Sequence, residues 1–258
     1  MAKCAASEFA TASPLSPQAL KHLTLFCDFD GPIVDVSDRY YHTYRLGLTE
    51  TQAAHPDLRL SPLTKQQFWQ MKQERMPDAE IALRSGLQGE QIDRFLQRVV
   101  QIVNQPALLQ QDQLQPGVKW ALALLHAQGV RLVLVTLRCQ AQATQILQDH
   151  GLVHLFSQIW GSVSESIAYS NLAEHKTELL RQAIAMQQNS SASYATFPDS
   201  AWMIGDTEAD VLAGQAMDVP TIALTCGIRS QTYLQKFEPT RIHSDLLSAA
   251  HYLVRHTI

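Results

Sequence analysis

No apolar run in this chain approaches the roughly 18 residues that a membrane-crossing helix requires. The stretch from Met1 to Pro17 holds a single lysine among small residues, with no apolar segment behind it, so neither export nor membrane insertion has support. Cysteine is scarce: Cys4, Cys27, Cys139 and Cys226 lie far apart, form no C-x-x-C pair and sit partly inside apolar runs, as reduced core cysteines do. The expected location is therefore the cytoplasm. The ten histidines are scattered through the chain and no cysteine pair accompanies them, so no zinc site is expected. Positive charge is also short, since the formal net charge is -4 with both signs interspersed; without a basic stripe, no nucleic-acid partner is expected.

The chain does have length and apolar content enough for a large core, with 258 residues of which 46% are hydrophobic. After Gly117, short β-branched or leucine-rich runs alternate with longer amphipathic ones, the pattern of strands and crossover helices. Strands are predicted at Leu23 to Asp28, Arg131 to Thr136, Gln158 to Gly161, Ala201 to Gly205 and Thr221 to Thr225. Helices are predicted at Val118 to Gln128, Ala141 to His150, Lys176 to Gln188, Thr207 to Ala216 and Ser244 to Arg255. Gly129 and Gly151 follow two of these helices, where a residue tolerant of positive φ is favoured. The expectation is an α/β fold with a doubly wound, Rossmann-like parallel sheet and active loops at the carboxyl ends of the strands.

Between about Asp38 and Asp112 the alternation stops. Only helical periodicity remains, with Phe68, Met71, Ile81, Leu83, Ile92, Phe95, Leu96, Val99, Val100 and Val103 as candidate apolar faces. This predicts an inserted all-α domain over residues 38–112, the core being residues 1–37 and 113–258. Gln187 to Ser200, rich in Asn and Ser, is predicted as a surface loop.

Chemistry-bearing residues gather where the strands end. Asp28 and Asp30, two apart in Asp28-Phe29-Asp30-Gly31, face one point at the end of the first strand; a turn is the plain alternative to a site, but repulsion between the carboxylates argues for a bound cation or a held proton. Asp206 and Asp210, in Gly205-Asp206-Thr207-Glu208-Ala209-Asp210, lie on one helix face, where Asp206 could equally be a helix cap. Together with Asp28 they form an oxygen-ligand set suited to Mg²⁺, provided that the strands ending at Asp28 and Gly205 are neighbours. Thr136 ends an apolar strand and Lys176 opens a helix; either alone reads as an ordinary structural residue.

In this order, D-x-D, then Thr, then Lys forty residues on (176 − 136), then G-D-x-x-x-D, the chain resembles the haloacid dehalogenase superfamily of phosphohydrolases. A helical insertion directly after the first motif resembles the branch with phosphoglycolate phosphatase and β-phosphoglucomutase. Pro32 departs from the usual residue after D-x-D-G, and His175-Lys176-Thr177-Glu178 lacks the K-P-x-P context common in that branch.

The resemblance implies a Mg²⁺-dependent phosphatase acting on a small phosphorylated metabolite through an aspartyl-phosphate, as a monomer or homodimer. It implies Asp28 as nucleophile and metal ligand, Asp30 as proton carrier and, through its carbonyl, metal ligand, with Asp206 and Asp210 completing the metal site. Thr136, the Leu137 N–H and Lys176 would hold the phosphoryl oxygens, under a cap formed by the insertion. Arg45, Lys72, Arg75 and Arg84 are candidates for an anionic substrate. Phosphomutase or phosphonatase chemistry, the latter with Lys65 or Lys72 as Schiff-base lysine, and a non-catalytic assembly role remain open alternatives.

Overall fold

Alternation of side chains along four apolar strands decides the architecture, because successive residues point to opposite faces of a sheet. A computed structural model describes residues 23–163, 171–190 and 201–255. In it, six parallel strands run in the order β5-β4-β1-β6-β7-β8. These are β1 (Thr24–Cys27), β4 (Arg131–Cys139), β5 (Phe156–Ser162), β6 (Ala201–Gly205), β7 (Thr221–Leu224) and β8 (Arg241–His243).

Leu25, Cys27, Leu132, Leu134, Ile204 and Ile222 belong to one apolar cluster, covered by α6 (Val118–Ala127), α7 (Gln140–Asp149) and α11 (Leu246–Arg255). The residues between them, Phe26, Val133, Val135 and Met203, belong to a second cluster under α8 (Ala173–Ser190) and α9 (Glu208–Ala216). Burial on both faces makes these strands nearly continuous apolar runs, and the helices on either side give the doubly wound form. Two helix ends behave as expected: Gly129 and Gly151 have φ of 79° and 70°. After α6, the Val130 N–H donates to Leu125 O at 3.1 Å, closing that helix through the left-handed glycine.

The segment between β2 (Val34–Asp35) and β3 (Gln113–Leu114) is entirely helical: α1 (Ser37–Ala54), α2 (Lys65–Gln73), α3 (Asp78–Arg84), α4 (Glu90–Ile102) and α5 (Pro106–Leu109). Tyr44, Leu48, Phe68, Met71, Ile81, Phe95 and Val99 form its own apolar cluster. Its entry and exit pair antiparallel, Val34 with Leu114 and Asp35 with Gln113, which returns the chain beside its departure point. Leu83 and Val100, expected on buried faces, are 49% and 42% exposed; their helices turn those positions outward.

Other boundaries moved. Lys176 does not open its helix but lies in its first turn, since α8 begins at Ala173. The same helix continues to Ser190 into the predicted loop, and the rest of that loop, like Cys4, lies outside the described residues. β4 continues past Thr136 to Cys139 through a register shift against β5. β2, β3, β8 and the short α10 (Gln231–Leu234) had no expectation attached to them. Among the described residues no helix is long and apolar enough to cross a membrane.

Phe26, wholly buried at the centre of the sheet, contributes mainly through packing. Phe26→Ala should lower unfolding stability by about 3–5 kcal/mol, whereas Trp120→Ser, on a side chain 77% exposed, should change it by less than about 0.5 kcal/mol. Urea unfolding midpoints of the two variants check both.

Candidate active site

The parallel ladder between β1 and β6 continues one residue beyond β1, with the Asp28 N–H donating to Ile204 O at 2.9 Å. This sets Asp28 beside the loop that follows β6, at the point where strand order reverses around β1. Asp206 begins that loop, and one oxygen of each of Asp28, Asp206 and Asp210 lies within 4.8 Å of the others. The helix cap is Thr207 rather than Asp206: Asp210 Oδ2 accepts from the Thr207 N–H at 3.1 Å and from its hydroxyl at 2.7 Å. Asp206 is thereby left to the site.

Glycines make this packing possible. A Cβ at Gly31 or Gly227 would come within 2.1 Å or 1.9 Å of the Asp206 carboxylate, and one at Gly205 within 2.1 Å of Asp210 Cγ. Gly31 also has φ of 95°, which lets the chain turn away after the two aspartates.

Lys176, 1% exposed, extends from α8 to the same centre. Its Nζ lies 2.7 Å from Asp28 Oδ1 and 2.9 Å from Asp210 Oδ1, and donates to Val135 O at 3.2 Å. Burial opposes its charge, but Asp210 and Asp28 outweigh that and hold its pKa above the ordinary lysine value. One ammonium does not balance three buried carboxylates. Burial, and Asp210 against the attraction of Lys176, push Asp28 up to about 7; burial, then Asp210 and Asp28, raise Asp206 well above the usual carboxylate range. Asp206 Oδ2 accepts from the Ile228 N–H at 2.7 Å, while its buried Oδ1 has no hydrogen-bond partner among the described residues.

Asp30 shares the cavity but its carboxylate turns elsewhere. Arg138 Nε donates to Oδ1 at 2.8 Å and Arg39 Nη2 to Oδ2 at 3.0 Å. Asp112 joins the two arginines from the far side, taking Arg39 Nε at 2.9 Å and Arg138 Nη2 at 2.5 Å. Burial acts to raise the pKa of Asp30, yet Arg138 and Arg39 prevail and lower it. Its side chain remains 23% exposed, enough to meet a molecule in the cavity.

Thr136 and Leu137 line the same cavity, together with Asp28, Asp30 and Asp206. The Thr136 hydroxyl accepts from the Arg138 N–H at 3.1 Å, which leaves its proton for another acceptor. Of the four cations proposed for an anionic substrate, Lys72 and Arg75 are on the cavity wall. Arg45 instead reaches Tyr41 and Arg84 pairs with Glu80 within α3. Arg138, Asn171 and Arg229 also line the cavity and were missed in the sequence. Only Arg138 left a trace, two residues beyond Thr136 at the spacing that shares a strand face.

A family model described as haloacid dehalogenase-like hydrolase matches residues 25–224. The phosphoglycolate phosphatase of Synechococcus elongatus is 28% identical over 233 residues, 88% of this chain and 97% of that protein. The probable phosphatase IndB of Dickeya dadantii is 29% identical over 143 residues, 54% of this chain; the match spans 57% of IndB. The phosphoglycolate phosphatase of Aliivibrio fischeri is 33% identical over 118 residues, so that the match spans 46% of this chain and 47% of that protein.

Among solved structures, a haloacid dehalogenase-like family hydrolase from Streptococcus pneumoniae superposes with a TM-score of 0.66 at 22% identity, covering 90% of this chain and 98% of that one. A putative phosphatase from Clostridium difficile gives 0.67 at 15% identity, covering 89% and 97%. These likenesses carry the fold alone. With a model match that runs from β1 through β7 and takes in every strand end that bears a candidate residue, the chain belongs to the haloacid dehalogenase-like hydrolase family.

Proposed function

We propose that the protein hydrolyses the phosphate monoester of a small metabolite, with Asp28 as nucleophile. The observation that carries this reading is the buried meeting of Asp28, Lys176, Asp206 and Asp210 at one point of the sheet edge. The phosphatase names of the relatives support the reaction class, and several of them name phosphoglycolate as the substrate. The relatives other than that of Synechococcus elongatus are matched over only about half their length, so the substrate is part of this proposal.

Three carboxylates, two of them with a buried oxygen that accepts no hydrogen bond among the described residues, suit a hard divalent cation such as Mg²⁺. Asp28, Asp206 and Asp210 would hold it, joined by the Asp30 carbonyl. When bound, it offsets the repulsion between the Asp28 carboxylate and the incoming phosphate. Asp28 attacks phosphorus, the P–O bond to the alcohol breaks and an aspartyl-phosphate forms; water then attacks that phosphorus and releases phosphate and the free carboxylate. Thr136, the Leu137 N–H and Lys176 hold the equatorial oxygens, because phosphoryl transfer depends chiefly on positioning and charge stabilisation.

Asp30 transfers the protons. Paired with two arginines it favours the carboxylate form, which suits removal of a proton from the attacking water; donation to the leaving alcohol needs that pairing loosened. Residues 38–112 act as the cap, since Tyr40, Lys72 and Arg75 bring helical side chains to the cavity that holds Asp28. Phosphonatase chemistry finds one supporting observation in Lys72, buried on the cavity wall with its pKa lowered by burial despite Asp78. Failure of borohydride to trap a substrate on the protein would dispose of it.

Asp28→Asn should lower Mg²⁺-dependent hydrolysis of an aryl phosphate by about a thousandfold or more; retention of wild-type turnover by the variant, or inactivity of the wild type on a panel of monoesters, would remove the assignment. Because three buried carboxylates face one lysine, Mg²⁺ should raise the melting temperature. Asp206→Asn should raise the metal-free melting temperature by roughly 2–6 °C and abolish the Mg²⁺ shift, as scanning calorimetry with and without the ion would register.

A further inference from the structure

Four charged side chains meet where the helical insertion joins the core: Arg39 from the first turn of α1, Asp112 from just before β3, Arg138 from β4 and Asp30 from the segment after β1. They alternate in sign around a closed ring. Asp30 Oδ1 accepts from Arg138 Nε at 2.8 Å and Oδ2 from Arg39 Nη2 at 3.0 Å, while Asp112 Oδ1 accepts from Arg39 Nε at 2.9 Å and Oδ2 from Arg138 Nη2 at 2.5 Å. Other contacts hold the guanidinium groups in place. Arg39 Nη1 donates to Asn104 Oδ1 at 3.0 Å, and the Arg138 guanidinium carbon lies 5.3 Å from the centre of the Phe29 ring, within cation–π range.

Stability does not account for this ring. The side chains of Arg39, Arg138 and Asp112 are each 2% exposed, and ion pairs so deeply buried are often no more stabilising than apolar residues of the same volume. The ring meets the cavity on one side only: Asp30 and Arg138 line it, Arg39 and Asp112 do not. Asp112 therefore acts on the cavity through the arginines. Each guanidinium divides its nitrogens between Asp30 and Asp112, so Asp112 competes with Asp30 for both of them. With Asp112 neutralised, Asp30 would be the sole carboxylate paired with either arginine among the described residues, and two buried cations would converge on it.

Resting on the reading of Asp30 as the proton carrier of a phosphomonoesterase, we infer that Asp112 is a positioning residue for proton transfer, keeping Arg39 and Arg138 occupied so that Asp30 can turn from them toward the cavity. In the first displacement the P–O bond to the alcohol breaks as Asp30 gives its proton to the departing oxygen; in the second, Asp30 regains a proton from the water that attacks phosphorus. Both transfers need a carboxyl group that is oriented but not locked. Asp28 has no such need, since its partner is Lys176 and not the ring. The loss of Asp112 thus affects the steps that move a proton and spares attack on phosphorus when the leaving group departs without one.

The test compares the wild type with Asp112→Asn, in Mg²⁺, on phosphoglycolate, whose alkoxide must be protonated, and on 2,4-dinitrophenyl phosphate, whose phenolate leaves unaided. On phosphoglycolate the variant should lose about tenfold or more in kcat with KM changed less than about twofold. On the dinitrophenyl ester, rapid mixing should show a burst of about one dinitrophenolate per protein at the wild-type rate, followed by slowed turnover. The paired variant Asp112→Asn with Arg39→Gln leaves one arginine to one acid; it should exceed the single variant on phosphoglycolate by about fivefold or more, whether the single variant is slow or fails to fold. Unchanged turnover of phosphoglycolate by Asp112→Asn, a burst slowed as much as the steady state, or a paired variant no faster than the single one overturns the inference and leaves the hydrolase reading standing. A wild type inactive on both esters defeats that reading, and the inference with it.

Discussion

Lys176 between Asp28 and Asp210 is the contact on which the site depends. Taking three carboxylates out of water in so small a volume is costly, and a single buried ammonium, 2.7 Å and 2.9 Å from two of them, is the only cation in direct contact with that trio among the described residues. The arrangement is tolerable because the fold around it is rigid. β1 and β6 are neighbours in a sheet buried on both faces, and α8 packs its apolar side against the same strands that carry the aspartates. Glycines at positions 31, 205 and 227 let the backbone crowd Asp206 and Asp210 without a clash. In the proposed reaction the remaining negative charge would draw a divalent ion and, through it, a phosphate.

A second charge network ties the helical insertion to the reacting end. Arg39 stands in the first turn of α1, Asp112 just before β3, and both meet Asp30 and Arg138 from the core. The two strand-like connections, β2 and β3, hold entry and exit together at the same place. Asp30, the proposed proton carrier, thus shares its partners with the hinge of the proposed cap, and α2 reaches the opposite wall through its bonds to Arg229 and Ser230. The proposed proton transfer would in this way fall on the boundary between insertion and core.

Local pattern carried most of what the sequence revealed. Leu25, Phe26 and Cys27 announce a strand buried on both faces, and acids two or four apart next to a glycine announce a strand end or a helix start, since these signals span only a few residues. Lys176 was legible solely from its place in the motif order; nothing about an isolated lysine in a helix says that it is 1% exposed. Arg39 and Asp112 were illegible, and Arg138 left only its spacing from Thr136, because charged residues 73 and 26 positions apart read as solvated until the fold closes. Strands of two residues, such as β2 and β3, carry no periodicity at all, and Leu83 and Val100 show that apolar periodicity in short helices overstates burial.

The central claim is that phosphate passes through Asp28 before it reaches water. Each displacement at phosphorus inverts its configuration, so two in succession restore it. The most direct measurement is the stereochemical course of hydrolysis of an isotopically chiral thiophosphate ester in oxygen-labelled water. Retention at phosphorus is the expected result, and inversion, the mark of direct attack by water, would contradict the account.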